Sequence, residues 1–111
     1  LESQLVALKN DREPSNETGL GNQNTNDLGF SMEQNKPNPF TNKTVVNYTL
    51  PSNTKATISV VDLSGKFVRD YDLSEEKGQL IINSNEIGKG IFVYALISDN
   101  EVIMTKKMII R

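Results

Sequence analysis

The carboxylates Asp70 and Asp72, followed by Glu75-Glu76, are the sequence's nearest approach to an acid–base or metal-binding set. Two residues apart, Asp70 and Asp72 share one face of a strand. Paired carboxylates can divide acid and base roles or share a cation. Nothing in the sequence supplies them with a fixed partner or a pocket, so they read as a solvated strand face and an exposed loop. No alternating run of acids around a central glycine marks a calcium loop. Gly88-Lys89-Gly90 lacks the spacing and the following Ser or Thr of a phosphate loop. Asn16-Glu17-Thr18, Asn42-Lys43-Thr44 and Asn47-Tyr48-Thr49 match the glycosylation sequon, which arises often by chance in a chain rich in Asn and Thr.

Composition narrows the chemistry further. The 111 residues include no His, Cys or Trp. The usual general base near neutral pH and the commonest metal ligand are therefore missing. So are a thiolate nucleophile and any disulfide. Few aromatics leave little to stack on sugars or bases. No catalytic residue, cofactor or metal ligand is assigned, and an enzyme is not expected. Residues 1–35 carry two Lys/Arg against six Asp/Glu, and residues 36–111 carry ten against eight. Neither part forms the basic stripe that nucleic acid requires. The longest apolar run, Ile91 to Ile97, is too short to span a bilayer. A chain that opens at Leu1 with no Met and no charged-then-apolar leader reads as the C-terminal piece of a longer protein, with any export signal upstream.

Three regions follow from periodicity. In residues 1–13, Leu1, Leu5 and Leu8 make one helical stripe that stops before Pro14. It reads either as a frayed helical remnant or as the last heptads of an upstream coiled-coil cargo. Residues 14–29 are rich in Asn, Gly, Ser and Thr and read as a flexible linker with a processing site. Residues 30–111 alternate. Phe30, Met32 and Gln34 share one face, then Val46, Tyr48 and Leu50, then Ala56, Ile58 and Val60, then Phe92, Tyr94 and Leu96. Turns fall at Pro51-Ser52-Asn53, Ser64-Gly65 and Asp99-Asn100. About seven short strands with no convincing helix after residue 13 predict an all-β antiparallel sandwich.

One segment stands apart: Gln34-Asn35-Lys36-Pro37-Asn38-Pro39-Phe40. Pro37 and Pro39 remove two amide donors and stiffen the chain, pushing Lys36 and Asn38 toward extended geometry. Such a corner is expected to end the first strand, carry the chain to the other sheet without exposing a pairing edge, and deliver Phe40 to the core. Asn35 and Asn38 can satisfy nearby backbone groups. At the other end of the chain, Val102, Met104, Met108 and Ile110 are expected on one face of the last strand, with Ile103 and Ile109 on the other. Apolar residues on both faces, with Lys106 and Lys107 between them, suit either a docking edge or a charge-blunted one.

The ordered set of motifs resembles the C-terminal sorting domain of type IX (Por) secretion system cargo, type A. It comprises the opening at Asn35–Phe40 (Asn35, Pro37, Asn38, Pro39, Phe40) and the strand ending in Leu50-Pro51. The Asp62–Lys66 turn (Asp62, Gly65, Lys66), the strand opening at Gly90–Phe92 and the Lys106-Lys107 end complete it. Phe92 stands where the family commonly has Tyr. The resemblance covers Phe30 to Arg111 and implies an immunoglobulin-like β-sandwich that is not a catalyst. It further implies that the cargo crosses the inner membrane and folds in the periplasm. An outer-membrane translocon and its shuttle protein would then recognise it through Gly90, Lys106, Lys107, Met108, Ile109, Ile110 and Arg111. A sortase-type peptidase would remove the domain, leaving the cargo at the cell surface or released. The alternative is an Ig-like adhesin or carbohydrate-binding module retained at the surface.

Overall fold

Alternating apolar residues form seven strands and one helical turn in the computed structural model, which describes residues 29–111. The readings of residues 1–13 and of the linker up to Leu28 lie outside the described residues. The strands are β1 (Ser31–Met32), β2 (Lys43–Thr49), β3 (Ala56–Asp62), β4 (Phe67–Leu73) and β5 (Lys77–Asn83). A single turn α1 (Ser84–Ile87) leads to β6 (Gly90–Ser98) and β7 (Glu101–Ile110). One sheet has the order β1-β2-β5 and the other β4-β3-β6-β7, with every neighbouring pair antiparallel. The chain changes sheet between β2 and β3, between β4 and β5, and between β5 and β6. Two sheets joined in this way make an immunoglobulin-like sandwich.

The inward faces are the expected ones. Val46, Tyr48, Leu50, Ala56, Ile58, Val60, Ile82, Phe92, Tyr94 and Leu96 form one buried cluster with Met108 and Ile110. Asp99 and Asn100 adopt φ of 53° and 62°, the pair of positive angles that a tight β6–β7 hairpin demands. The Asp62–Lys66 turn is closed by the Asp62 carboxylate. It accepts from the Ser64 hydroxyl at 2.6 Å and from the Ser64 and Lys66 amides at 2.9 and 3.0 Å. The Ser64 hydroxyl above all, then the Lys66 amide, holds this carboxyl below the usual aspartate range. Gly65, with φ of 89°, makes the left-handed step that this turn needs.

Four expectations change. The corner does not hand the chain over to the other sheet: it touches the edge of β7 at Phe40 and returns to β2, the neighbour of β1. Alternation also slips before the corner: Gln34 is exposed and Asn35 is buried. A short helical turn exists where none was expected. It forms because Asn83 and Glu86 cap each other's backbone in a reciprocal box. In β7, Leu96 pairs with Met104 but Ile97 pairs with Val102, so Ile103 is an extra, bulged residue. The bulge turns Val102 to the outer face beside Val61, Ala95 and Ile97, and brings Ile103 against the main core.

Candidate recognition surface: the corner and the last strand

The corner is built around a buried amide. Asn35 is 1% exposed although it carries a polar side chain. Its Nδ2 donates to Thr44 Oγ1 at 3.0 Å and to the Pro37 carbonyl at 3.1 Å, and the Thr44 hydroxyl donates to the same carbonyl at 2.8 Å. Its main-chain N–H donates to the Tyr94 hydroxyl at 2.8 Å, which in turn donates to the Glu33 carbonyl at 3.1 Å. Each buried polar group here has a partner, as a low-dielectric interior requires. Burial pushes the Tyr94 phenol up to about 12. The Lys36–Pro37 and Asn38–Pro39 peptides are both cis.

The two halves of the corner pair with different sheets. Lys36 exchanges main-chain hydrogen bonds with Val45 of β2 at 2.9 and 3.0 Å. Phe40 turns to the last strand: its N–H donates to the Ile109 carbonyl at 3.0 Å, and its carbonyl accepts from the Arg111 N–H at 2.9 Å. Between them, Asn38 Oδ1 accepts from the Ile109 N–H at 2.9 Å, and Gln34 Nε2 donates to the Lys107 carbonyl at 2.6 Å. The corner therefore occupies the free edge of β7 from Lys107 to Arg111. The prolines, which cannot donate, sit where no donor is called for. Phe40 itself is buried in the core at 3% exposure, the inward anchor that the stiff segment predicts.

Against this frame the expected tail residues divide. Met108 and Ile110 are in the core, at 0% and 2% exposure. Lys107, Ile109 and Arg111 are exposed, and Lys106 is half-buried. Ile109 is the cross-strand partner of Ile91, and both isoleucines are exposed large apolar residues. Gly90, opposite Ile110, has φ of +137°. A Cβ there would meet only the Phe92 ring at 3.6 Å, so backbone conformation rather than space favours glycine. Phe92 is buried.

Two of the carboxylates weighed at the outset serve local structure. Asp72 accepts from the Thr57 hydroxyl at 3.2 Å, and Glu76 accepts from the Asn53 N–H at 3.0 Å. Among the described residues, no three His, Cys, Asp or Glu side chains converge on a cation-sized site. Sequence reasoning singled out Asn35, in a segment that opens at Gln34, but not its partners Thr44 and Tyr94. A threonine at an inward position of an alternating strand and a tyrosine at the centre of an apolar one were the available signals.

This sheet order, with the corner laid along the end of the last strand, defines an immunoglobulin-like β-sandwich. The sequence matches the family described as the secretion system C-terminal sorting domain over residues 37–111, and the chain belongs to that family. It is a sorting domain of the type IX secretion system. No curated protein matches the sequence. Among solved structures it is similar to an immunoglobulin-like protein from Pseudomonas aeruginosa, at 12% identity and a TM-score of 0.44, covering 74% of this chain and 89% of that one. That likeness is loose, and the fold rests on the sheet order itself.

Proposed function

We propose that this domain is a non-enzymatic, type A sorting signal read in folded form by an outer-membrane translocon and its shuttle protein. Family membership over residues 37–111 is the observation that carries the reading. The cargo ahead of it folds in the periplasm and passes to the cell surface or the medium. A sortase-type peptidase cuts in the segment before Phe30. Within the tail, the structure supports a division of labour. Met108 and Ile110 are buried and set the register of β7, while Lys107, Ile109 and Arg111 face outward and are available to a partner. Lys106 lies at the half-buried rim.

The test replaces Lys106 and Lys107 together with Ala in a secreted reporter fusion and melts the purified domain in parallel. Exposed and half-exposed lysines contribute about 0–1 kcal/mol, so Tm should hold. Export should be lost. Export equal to the parent would mean that the lysines only blunt an edge strand. Loss of export together with Tm would make the tail a structural strand first.

A further inference from the structure

We infer that the recognised surface is composite, made by the corner and the last strand together, and that it fits an acidic, strand-bearing protein surface. This inference rests on the sorting role proposed above and names the partner chemistry. Three chain segments meet side by side. Ile91 of β6 pairs with Ile109 of β7, and the Ile109 N–H is held by the Asn38 side chain at 2.9 Å. The two isoleucines are 43% and 37% exposed. Two residues back along β7, the Lys107 main chain is held by Gln34, and two residues the other way Arg111 is held by Phe40. The corner thus fixes the tail and adds the exposed residues Lys36, Pro37 and Asn38 beside it.

Charge selects the partner. Lys36, Lys89, Lys107 and Arg111 are all exposed at this end of the sandwich. Among the described residues no ion pair engages any of them. Two neighbouring acids are already engaged: Asp62 closes its own turn and Glu33 accepts from Asn47. A partner that places carboxylates opposite these cations and an apolar side chain on the Ile91–Ile109 pair is complementary to them. A protein fits better than a lipid surface. The corner's hydrogen bonds reach Lys107, Ile109 and Arg111 and go no further along β7, so an added strand can continue the edge from Thr105. A membrane makes no use of that edge.

The test compares export of reporter fusions carrying Lys36→Glu in the corner, Lys107→Glu in the tail, and Lys77→Glu at the start of β5 as a distant control. Tm is measured on each purified domain. Charge reversal at a complementary interface should cut export about tenfold or more for both Lys36→Glu and Lys107→Glu, with Tm unchanged and Lys77→Glu exported like the parent. Loss with Lys107→Glu but parental export with Lys36→Glu overturns the composite surface while leaving the sorting role intact. A parent fusion that is never exported removes the sorting role and the composite surface together. Should Lys36→Glu lower Tm, Lys36→Gln decides. It removes the charge without reversing it, and parental export of that variant overturns the inference. Sedimentation of the domain with phosphatidylcholine–phosphatidylglycerol vesicles should show no binding. Binding that Lys36→Glu abolishes would assign the basic end to a membrane and overturn the protein partner.

Discussion

The hydroxyl of Tyr94 is one atom on which the corner depends, and Tyr94→Phe removes it while keeping the ring. The ring is fully buried, so no water replaces the lost oxygen without a cavity. The Asn35 N–H loses its acceptor at 2.8 Å and the Glu33 carbonyl loses a donor at 3.1 Å. Glu33 is exposed, so its carbonyl can turn to solvent, but Asn35 is buried and its N–H is stranded. An unsatisfied buried donor costs about 1–3 kcal/mol and an ordinary hydrogen bond about 0.5–1.5 kcal/mol, so the variant should lose roughly 2–3 kcal/mol. In a domain of this size that lowers Tm by roughly 10–20 °C. A second signature appears at high pH. The folded phenol titrates at about 12, above its unfolded value near 10. The neutral form is thus favoured in the fold, and its contribution is fully present below pH ~10 and lost as pH rises toward ~12. The two-unit gap corresponds to about 2–3 kcal/mol of alkaline destabilisation. The Phe variant should lack this part of the alkaline limb and keep the part due to Tyr48 and Tyr71, whose phenols are also raised, chiefly by burial. Thermal melts followed by circular dichroism from neutral pH upward measure both signatures. A variant with parental Tm and a parental alkaline limb would refute the claim that this hydroxyl holds the corner.

Three further outcomes are expected. Phe40→Ala removes a core ring and should cost about 3–5 kcal/mol, enough to unfold a small domain, and a parental Tm would show that the corner does not anchor the core. The Glu86 carboxylate is held below its usual range chiefly by the Tyr71 hydroxyl, which donates to it at 2.7 Å. Its contribution is present above the unfolded glutamate pKa and lost as pH falls, so Glu86→Gln should flatten the acid limb of a pH–Tm profile by no more than ~1 kcal/mol. The N-terminus of a sorting domain released from cells should fall within residues 14–29, and sequencing that places the cut inside Phe30–Arg111 would reject the processing site proposed here.

How much of this was legible before the structure depends on which residues carried a period. The inward faces of β2, β3 and β6 follow from strict alternation, and the β6–β7 hairpin from two residues that tolerate positive φ. Alternation fails wherever a residue is inserted. The bulge at Ile103 therefore moved Val102 to the outer face without any sequence mark. The corner was half legible. Its prolines do announce that amides are missing, and Phe40 does go inward. They say nothing of the carbonyls and the Asn and Gln side chains that remain free to bond, and through these the segment pairs with β2 and β7 after all. Its long-range partners, some 60 to 70 residues away, leave no local signal. The tail's mixture of buried and exposed apolar residues was visible as apolar side chains on both faces, but which face the corner would cover was not.

Fusing residues 30–111 to a fluorescent reporter that folds in the periplasm, in a host with a type IX pathway, tests the central claim most directly. Sorting by this domain predicts fluorescence at the cell surface or in the medium, dependent on the fused domain. An intact, folded fusion that stays in the periplasm beside a functioning secretion pathway would contradict it.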